Sequence, residues 1–157
     1  RRVIFEALDE AMDNSKKSKD RDFSIIIFDI DFFKKVNDTY GHAGGDAVLI
    51  SFAQLLQTEI SSPNIVGRIG GEEFLAILYL SKDQAVEFCK KLIKKINKNV
   101  VNFDGIDIKI TSSGGVAFSN ETETSADLTN KADERLYEAK KEGRNRFKLI
   151  DIELLGD

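Results

Sequence analysis

Residues Asn64–Leu78 read NIVGRIGGEEFLAIL, two apolar runs parted by Gly70-Gly71, with Glu72 and Glu73 directly after the glycines. The pair predicts a two-residue hairpin turn, because glycine takes positive φ at both turn positions without strain. Such a turn holds the acids at a hairpin tip, where a ligand can approach bare backbone. Upstream, the apolar run Phe23–Phe28 ends in Asp29-Ile30-Asp31. Its near-continuous apolarity predicts a strand buried on both faces. Two acidic strand ends suggest a divalent-metal site if the strands are neighbours, since a hard cation such as Mg²⁺ takes oxygen ligands from one or two carboxylates plus substrate phosphates. Asp29 and Glu72 would be the carboxylates, and the carbonyl of Ile30 an uncharged ligand. The plainer reading, acids that blunt strand ends or cap helices, suits a lone Asp after a strand. It suits Asp29, Asp31, Glu72 and Glu73 beside a Gly-Gly turn much less well.

Working outward, Ile4, Leu8, Ala11 and Met12 lie at helical spacing and predict a helix over Val3 to about Lys16. The segment Asp31–Val48, DFFKKVNDTYGHAGGDAV, is too polar for core and predicts a short helix and a loop. Leu49, Ala53, Leu56 and Ile60 mark a longer helix after it. Ser81-Lys82-Asp83-Gln84 has capping-box form, before a stripe of Ala85, Cys89, Leu92 and Ile96. VVNF and IDIKITSSGGVAF predict two or three strands, with turns at Asp104-Gly105 and Gly114-Gly115. Thr124 is placed to cap a last helix on which Leu128, Ala132, Leu136 and Ala139 share a face before Gly143. NRFKLI reads as a final strand, and the acidic tail DIELLGD receives no role. This order of elements means an α/β (α+β) domain, a mainly antiparallel central sheet flanked by helices.

The chain has 157 residues, enough for one domain, with 41% hydrophobic and 32% charged residues. A net charge of −4 argues against bulk electrostatic binding to nucleic acid or an anionic membrane. The single cysteine, Cys89, excludes an internal disulfide and reads as a core thiol. No transmembrane-length apolar run and no signal-peptide pattern is present, so a cytoplasmic setting is the default expectation. Neither a P-loop nor a dinucleotide fingerprint occurs. Phosphates would therefore meet a metal, the free amides of Phe32, Phe33 and Lys34 where a helix begins, and Lys140 and Arg144 at the end of the last helix. The alternative for the two cations is a favourable charge at a helix C-terminus. Lys90, Lys91, Lys94 and Lys95 read as a solvated helix face, and Arg68 as the partner of a nearby acid.

At FDIDFFKKVNDTYGHAGGDAVL, GRIGGEEF and KADERLYEAKKEGRNRF the chain resembles the GGDEF family of diguanylate cyclases, which condense two GTP into cyclic di-GMP. The resemblance runs from Arg1 to about Leu149. It implies a nucleotidyl-cyclase or polymerase-palm-like fold, with the chain a single catalytic domain over residues 1–157 cut from a longer protein bearing an N-terminal sensor or dimerisation module. It implies that Asp29, the Ile30 carbonyl and Glu72 hold two Mg²⁺ (Mn²⁺ being a substitute), that Glu72 takes the 3′-hydroxyl proton, and that Glu73 supports it. Asn37 and Asp46 match the family's guanine-reading pair, and His42 a nucleotide contact. Phe32, Phe33 and Lys34 would meet phosphates through their amides, with Lys140 and Arg144 on the outer oxygens. The implied partners are GTP and a second copy of the domain, since one domain holds one GTP, with no nucleic acid and no membrane contact from this segment.

Chemistry agrees with the implied base. Asp46 can accept from guanine N1–H and the N2 amino group, while Asn37 donates to N3 and accepts from N2. Adenine lacks both donors, and sites built on such bonds discriminate by roughly 10⁴-fold. The other functional readings are a catalytically silent GTP-binding regulatory domain and a cyclase making an adenine-containing dinucleotide, against which Asp46 speaks. The chain departs from the family at the RxxD product site, where it carries Ser61 and Asn64. Neither supplies a guanidinium fork or a carboxylate, so product inhibition through that site is not expected.

Overall fold

A computed structural model describes all 157 residues. Four helices and eight strands follow one another as α1 (Arg2–Lys17), β1 (Ser24–Ile30), α2 (Phe33–Glu59), β2 (Ile65–Arg68), β3 (Glu73–Leu78), α3 (Lys82–Lys98), β4 (Val101–Phe103), β5 (Ile106–Ile108), β6 (Ser112–Phe118), α4 (Ser125–Lys141), β7 (Arg146–Lys148) and β8 (Glu153–Leu155). Six strands make the central sheet, in the order β2-β3-β1-β6-β7-β8. All its neighbours are antiparallel except β6 and β7. Strands β4 and β5 form a separate hairpin.

Strand β1 explains the layering. Every one of its residues is buried, and its isoleucines alternate between two cores. Ile26, Phe28 and Ile30 pack with Phe74, Ala76 and Val116 under α2 and α3. Ile25 and Ile27 pack with Leu75, Ile77 and Ala117 under α1 and α4. Each such side chain contributes about 1.5–3 kcal/mol on burial, which is why a seven-residue apolar strand belongs at the centre. The capping box at Ser81 and Gln84 forms as its sequence requires, and Thr124 caps α4 by accepting from the Asp127 amide. No helix is long and apolar enough to cross a membrane.

Five readings are corrected. Gly70 and Gly71 do not take positive φ; the loop runs from Ile69 to Glu72, and the Glu73 carbonyl closes it by accepting from Ile69 and Gly70 N–H (2.9 and 3.2 Å). The turn expected at Asp104-Gly105 does form, with positive φ at both positions, joining β4 and β5. Gly114-Gly115 is no turn but the middle of β6, where the missing side chains admit α4 and Phe147 close to the sheet. From Phe33 on, segment Asp31–Val48 belongs to one long helix kinked at Gly41 (φ 75°, ψ 174°), and Val36, Gly44, Gly45 and Val48 are buried. The buried stripe then runs Val48, Phe52, Leu56, one residue ahead of Leu49 and Ala53. Lastly, the tail forms β8, which closes the β7 edge.

One ion pair pins α4 to the sheet. Arg135 and Glu121 side chains are each 9% exposed and meet twice, at 2.5 and 2.8 Å, while Arg135 Nη1 also donates to the Val116 carbonyl at 2.7 Å. Burial pushes the Glu121 carboxyl up, but hydrogen bonds from Arg135 and the Phe118 amide, with the guanidinium charge, outweigh it and hold the pKa below its ordinary 4.5. A depressed carboxylate stabilises the fold above its unfolded pKa, and that contribution is lost as pH falls through the folded value. Glu121→Gln is therefore expected to cost roughly 2 kcal/mol at pH 7. Thermal melts from pH 7 to pH 3 should show the gap between variant and parent closing as acid protonates Glu121.

Candidate active site

Register brings the two acidic strand ends together. Asp29 of β1 faces Glu73 across the β1–β3 pair, and Ile30 N–H donates to the Glu72 carbonyl at 3.3 Å. Beside them opens a cleft of about 410 Å³ whose wall includes Asp29, Ile30, Glu72, Lys140 and Arg144. Phe32, Phe33 and Lys34 line it from the start of α2. No side chain caps that helix, so the amides of its first turn lack a side-chain acceptor.

Asp29 is the most perturbed acid here. It is 4% exposed, its Oδ2 lies 2.5 Å from Lys140 Nζ, and its Oδ1 is buried without any partner. Burial pushes its pKa up to about 6, with Asp31 and Glu72 adding to the rise and Lys140 opposing it. A buried carboxylate oxygen with nothing to bind is costly, and a cation is one way to satisfy it. No group of three or more His, Cys, Asp or Glu side chains is arranged to hold a metal ion. An ion in this cleft would accordingly take Asp29, Glu72 and the Ile30 carbonyl from the protein and its remaining ligands from water or phosphate. That donor set fits Mg²⁺, which keeps most of its shell from such sources.

Four expected site residues stand outside the cleft wall. Glu73 is half-buried in β3, where burial first and Asp133 second raise its carboxyl pKa. Asn37 packs its Oδ1 against Gly45, so closely that a Cβ there would stand 1.8 Å from it, which sets it next to the exposed Asp46. His42 is exposed just past the kink. The kink at Gly41 thus folds Asn37 and the Gly45-Asp46 step onto each other, a juxtaposition that a loop reading of this segment did not convey.

Other expectations resolve simply. Arg68 pairs with no acid: its Nε donates to the carbonyls of Gly70 and Gly71 at 3.0 and 2.8 Å, bracing the turn. Asn64 accepts from the Tyr79 amide at 2.8 Å, a structural task. Lys90, Lys91, Lys94 and Lys95 are all exposed, and burial drives the Cys89 thiol up to about 12. Lys35 and Asp38 also line the cleft; their helical spacing of three residues, with Asp38 four on from Lys34, would have pointed to them. Asn145, whose amide reaches Asp31, gave no signal in sequence.

The class these features define is an α+β domain with an acidic, lysine- and arginine-flanked cleft at the end of its central strands. The description "Diguanylate cyclase, GGDEF domain" matches residues 1–146, and the chain belongs to the GGDEF family. It is 38% identical over 138 residues to Diguanylate cyclase A of Treponema denticola, covering 87% of this chain and 37% of that protein. Against diguanylate cyclase DgcS of Shewanella oneidensis it is 36% identical over 131 residues, covering 83% of this chain and 43% of that one. The chain therefore spans less than half the length of these relatives. Among solved structures, the GGDEF domain of DgcB from Caulobacter crescentus, in complex with c-di-GMP, superposes with a TM-score of 0.88 at 27% identity, over 95% of this chain and 89% of that one. The active GGEEF domain of a diguanylate cyclase from Vibrio cholerae gives 0.82 at 29% identity, covering 97% of each chain.

Proposed function

We propose that this domain is a Mg²⁺-dependent diguanylate cyclase that joins two GTP into cyclic di-GMP and releases pyrophosphate, each of two facing copies contributing a half-site. The observation that carries this reading is the shared cleft of Asp29 and Glu72, with Asp29 Oδ1 buried and unpartnered. Metal ions bound there would steady the attacking and leaving oxygens of the displacement at the α-phosphate. Asp29, the Ile30 carbonyl and Glu72 would hold them, and Glu72 would receive the 3′-hydroxyl proton. Amides of the uncapped α2 start would take phosphate oxygens, with Arg144, stacked on Phe32, and Lys140, beside Asp29, supplying charge. Two cyclising bonds need two nucleotides in reach, and one cleft of this size serves one of them.

The test is incubation of the protein with GTP and Mg²⁺ and identification of the product by mass. Cyclic di-GMP is the expected result, and GTP bound but left unchanged would mark a silent domain instead. Base selection should rest on Asp46. Asp46→Ala is expected to erode the preference for GTP over ATP by about 100-fold or more, measured as the ratio of kcat/KM values. Full selectivity in that variant would remove Asp46 from the assignment.

A further inference from the structure

We propose that Asp31 is a positioning residue for the phosphate side of this cleft, an inference resting on its reading as a triphosphate site. Asp31 lies two residues after Asp29 on the same strand end, yet its bonding is the opposite. Where Asp29 leaves an oxygen without a partner, Asp31 receives three donors and is 4% exposed. Ser113 Oγ donates to Oδ1 at 2.6 Å, Thr111 Oγ1 to Oδ2 at 2.6 Å, and the Asn145 amide to Oδ2 at 3.0 Å. Its own N–H donates to the Thr111 carbonyl at 2.9 Å. So engaged, the carboxylate is ill suited to bind an ion and well suited to fix what surrounds it.

What surrounds it is backbone in a conformation that needs outside support. Phe32, the next residue, sits in the left-handed region (φ 56°, ψ 35°) and starts α2. Arg144 and Asn145, at the end of α4, sit there too (φ 63° and 49°). Asn tolerates this region, but Phe and Arg adopt it only when neighbours impose it. Asp31 joins both segments, by peptide bond to Phe32 and by hydrogen bond to Asn145. The outcome is visible at the cleft, where the Arg144 guanidinium carbon lies 4.5 Å from the centre of the exposed Phe32 ring. Stacking on that ring aims the guanidinium. Asn145 carries the constraint further, exchanging side-chain hydrogen bonds with Asn97 of α3 (3.0 and 3.2 Å) and accepting the Gly156 amide at 2.8 Å.

Asp31 thus sets where Arg144 stands and how α2 begins, the two features assigned to phosphate. It has no bond to Asn37 or Asp46, the residues assigned to the base. Its loss should weaken recognition of the triphosphate and spare recognition of guanine. Calorimetry of the full chain with Mg²⁺, using a non-hydrolysable GTP analogue and separately GMP, tests this. Asp31→Ala is expected to lower affinity for the analogue by on the order of 10- to 100-fold, and for GMP by no more than about threefold. Asp31→Asn keeps an oxygen for Thr111 and Asn145 and an amide for Ser113, and should restore analogue affinity to within about threefold of the parent. Should the alanine variant not fold, the near-isosteric Thr111→Val should give a smaller loss, again confined to the analogue. Equal weakening of both ligands, or of neither, overturns the positioning role. A parent protein that binds no GTP analogue at all would instead bring down the functional reading.

Discussion

Replacing Glu72 by alanine is expected to abolish cyclic di-GMP formation, lowering the rate at least ~10³-fold, while the melting temperature moves by no more than about 2 °C. The two halves of this expectation come from one feature. Glu72 stands on the cleft wall, and its carboxylate makes no hydrogen bond or ion pair with the rest of the chain. Truncating it leaves no donor stranded and opens no cavity in the core, so the fold loses little. It even relieves Asp29, whose pKa the Glu72 charge helps to raise. On the proposed function, the variant would lose both an ion ligand and the group assigned to take the 3′-hydroxyl proton, and these losses would compound. Initial rates by product chromatography, beside a thermal melt of the same sample, measure both. Retention of even a tenth of the parent rate would remove Glu72 from proton transfer and metal binding together.

Sequence showed most of what positions this carboxylate. The run SIIIFDI announced a strand covered on both faces, and both faces are covered. The capping box at Ser81 and the stripes of α1, α3 and α4 were legible because local hydrogen bonds and 3.6-residue periodicity decide them. Gly105 makes its expected turn, but Gly70-Gly71 and Gly114-Gly115 do not, since composition cannot say whether glycine serves a dihedral angle or a close approach. At Gly71 it serves neither within the chain: φ is ordinary and a Cβ would meet nothing within 4 Å, which leaves open space for a ligand. Strand β8 was invisible, because three residues at a sheet edge become a strand only when β7 presents its edge to them. The Asp31 clamp was hidden for a similar reason. Its donors lie 80, 82 and 114 residues away, a convergence that only the folded sheet produces.

Gly115 is where the sheet and the cleft depend on one another, and Gly115→Ala is expected to cost roughly 3 kcal/mol or more, a fall in melting temperature of roughly 6–12 °C. The position lies mid-strand with β geometry that alanine could adopt, so the penalty is not conformational. It is steric. An added Cβ would stand 1.9 Å from the Ala132 carbonyl oxygen and 2.5 Å from the Leu136 nitrogen, both backbone atoms of α4. Side chains can rotate away from an intruding methyl, but a helix backbone has to move as a body. Helix α4 is anchored at Arg135 to Glu121 and the Val116 carbonyl, and five residues on, near its C-terminus, it carries Lys140 to Asp29. Lifting it from β6 therefore strains the ion pair and withdraws Lys140 from the cleft in one displacement. The variant should lose activity even at temperatures where it stays folded, with the rise in KM for GTP larger than the fall in kcat, because Lys140 and Arg144 are assigned to binding phosphate. Gly114→Ala is the informative contrast: its two nearest neighbours are Phe147 ring atoms at 2.8 and 3.1 Å, which can shift, and the fixed Phe28 Cβ stands farther off at 3.2 Å. Denaturant melts of the two variants should rank Gly115→Ala as the more destabilised; parity between them would mean that α4 yields as readily as an aromatic ring, contrary to the packing argued here.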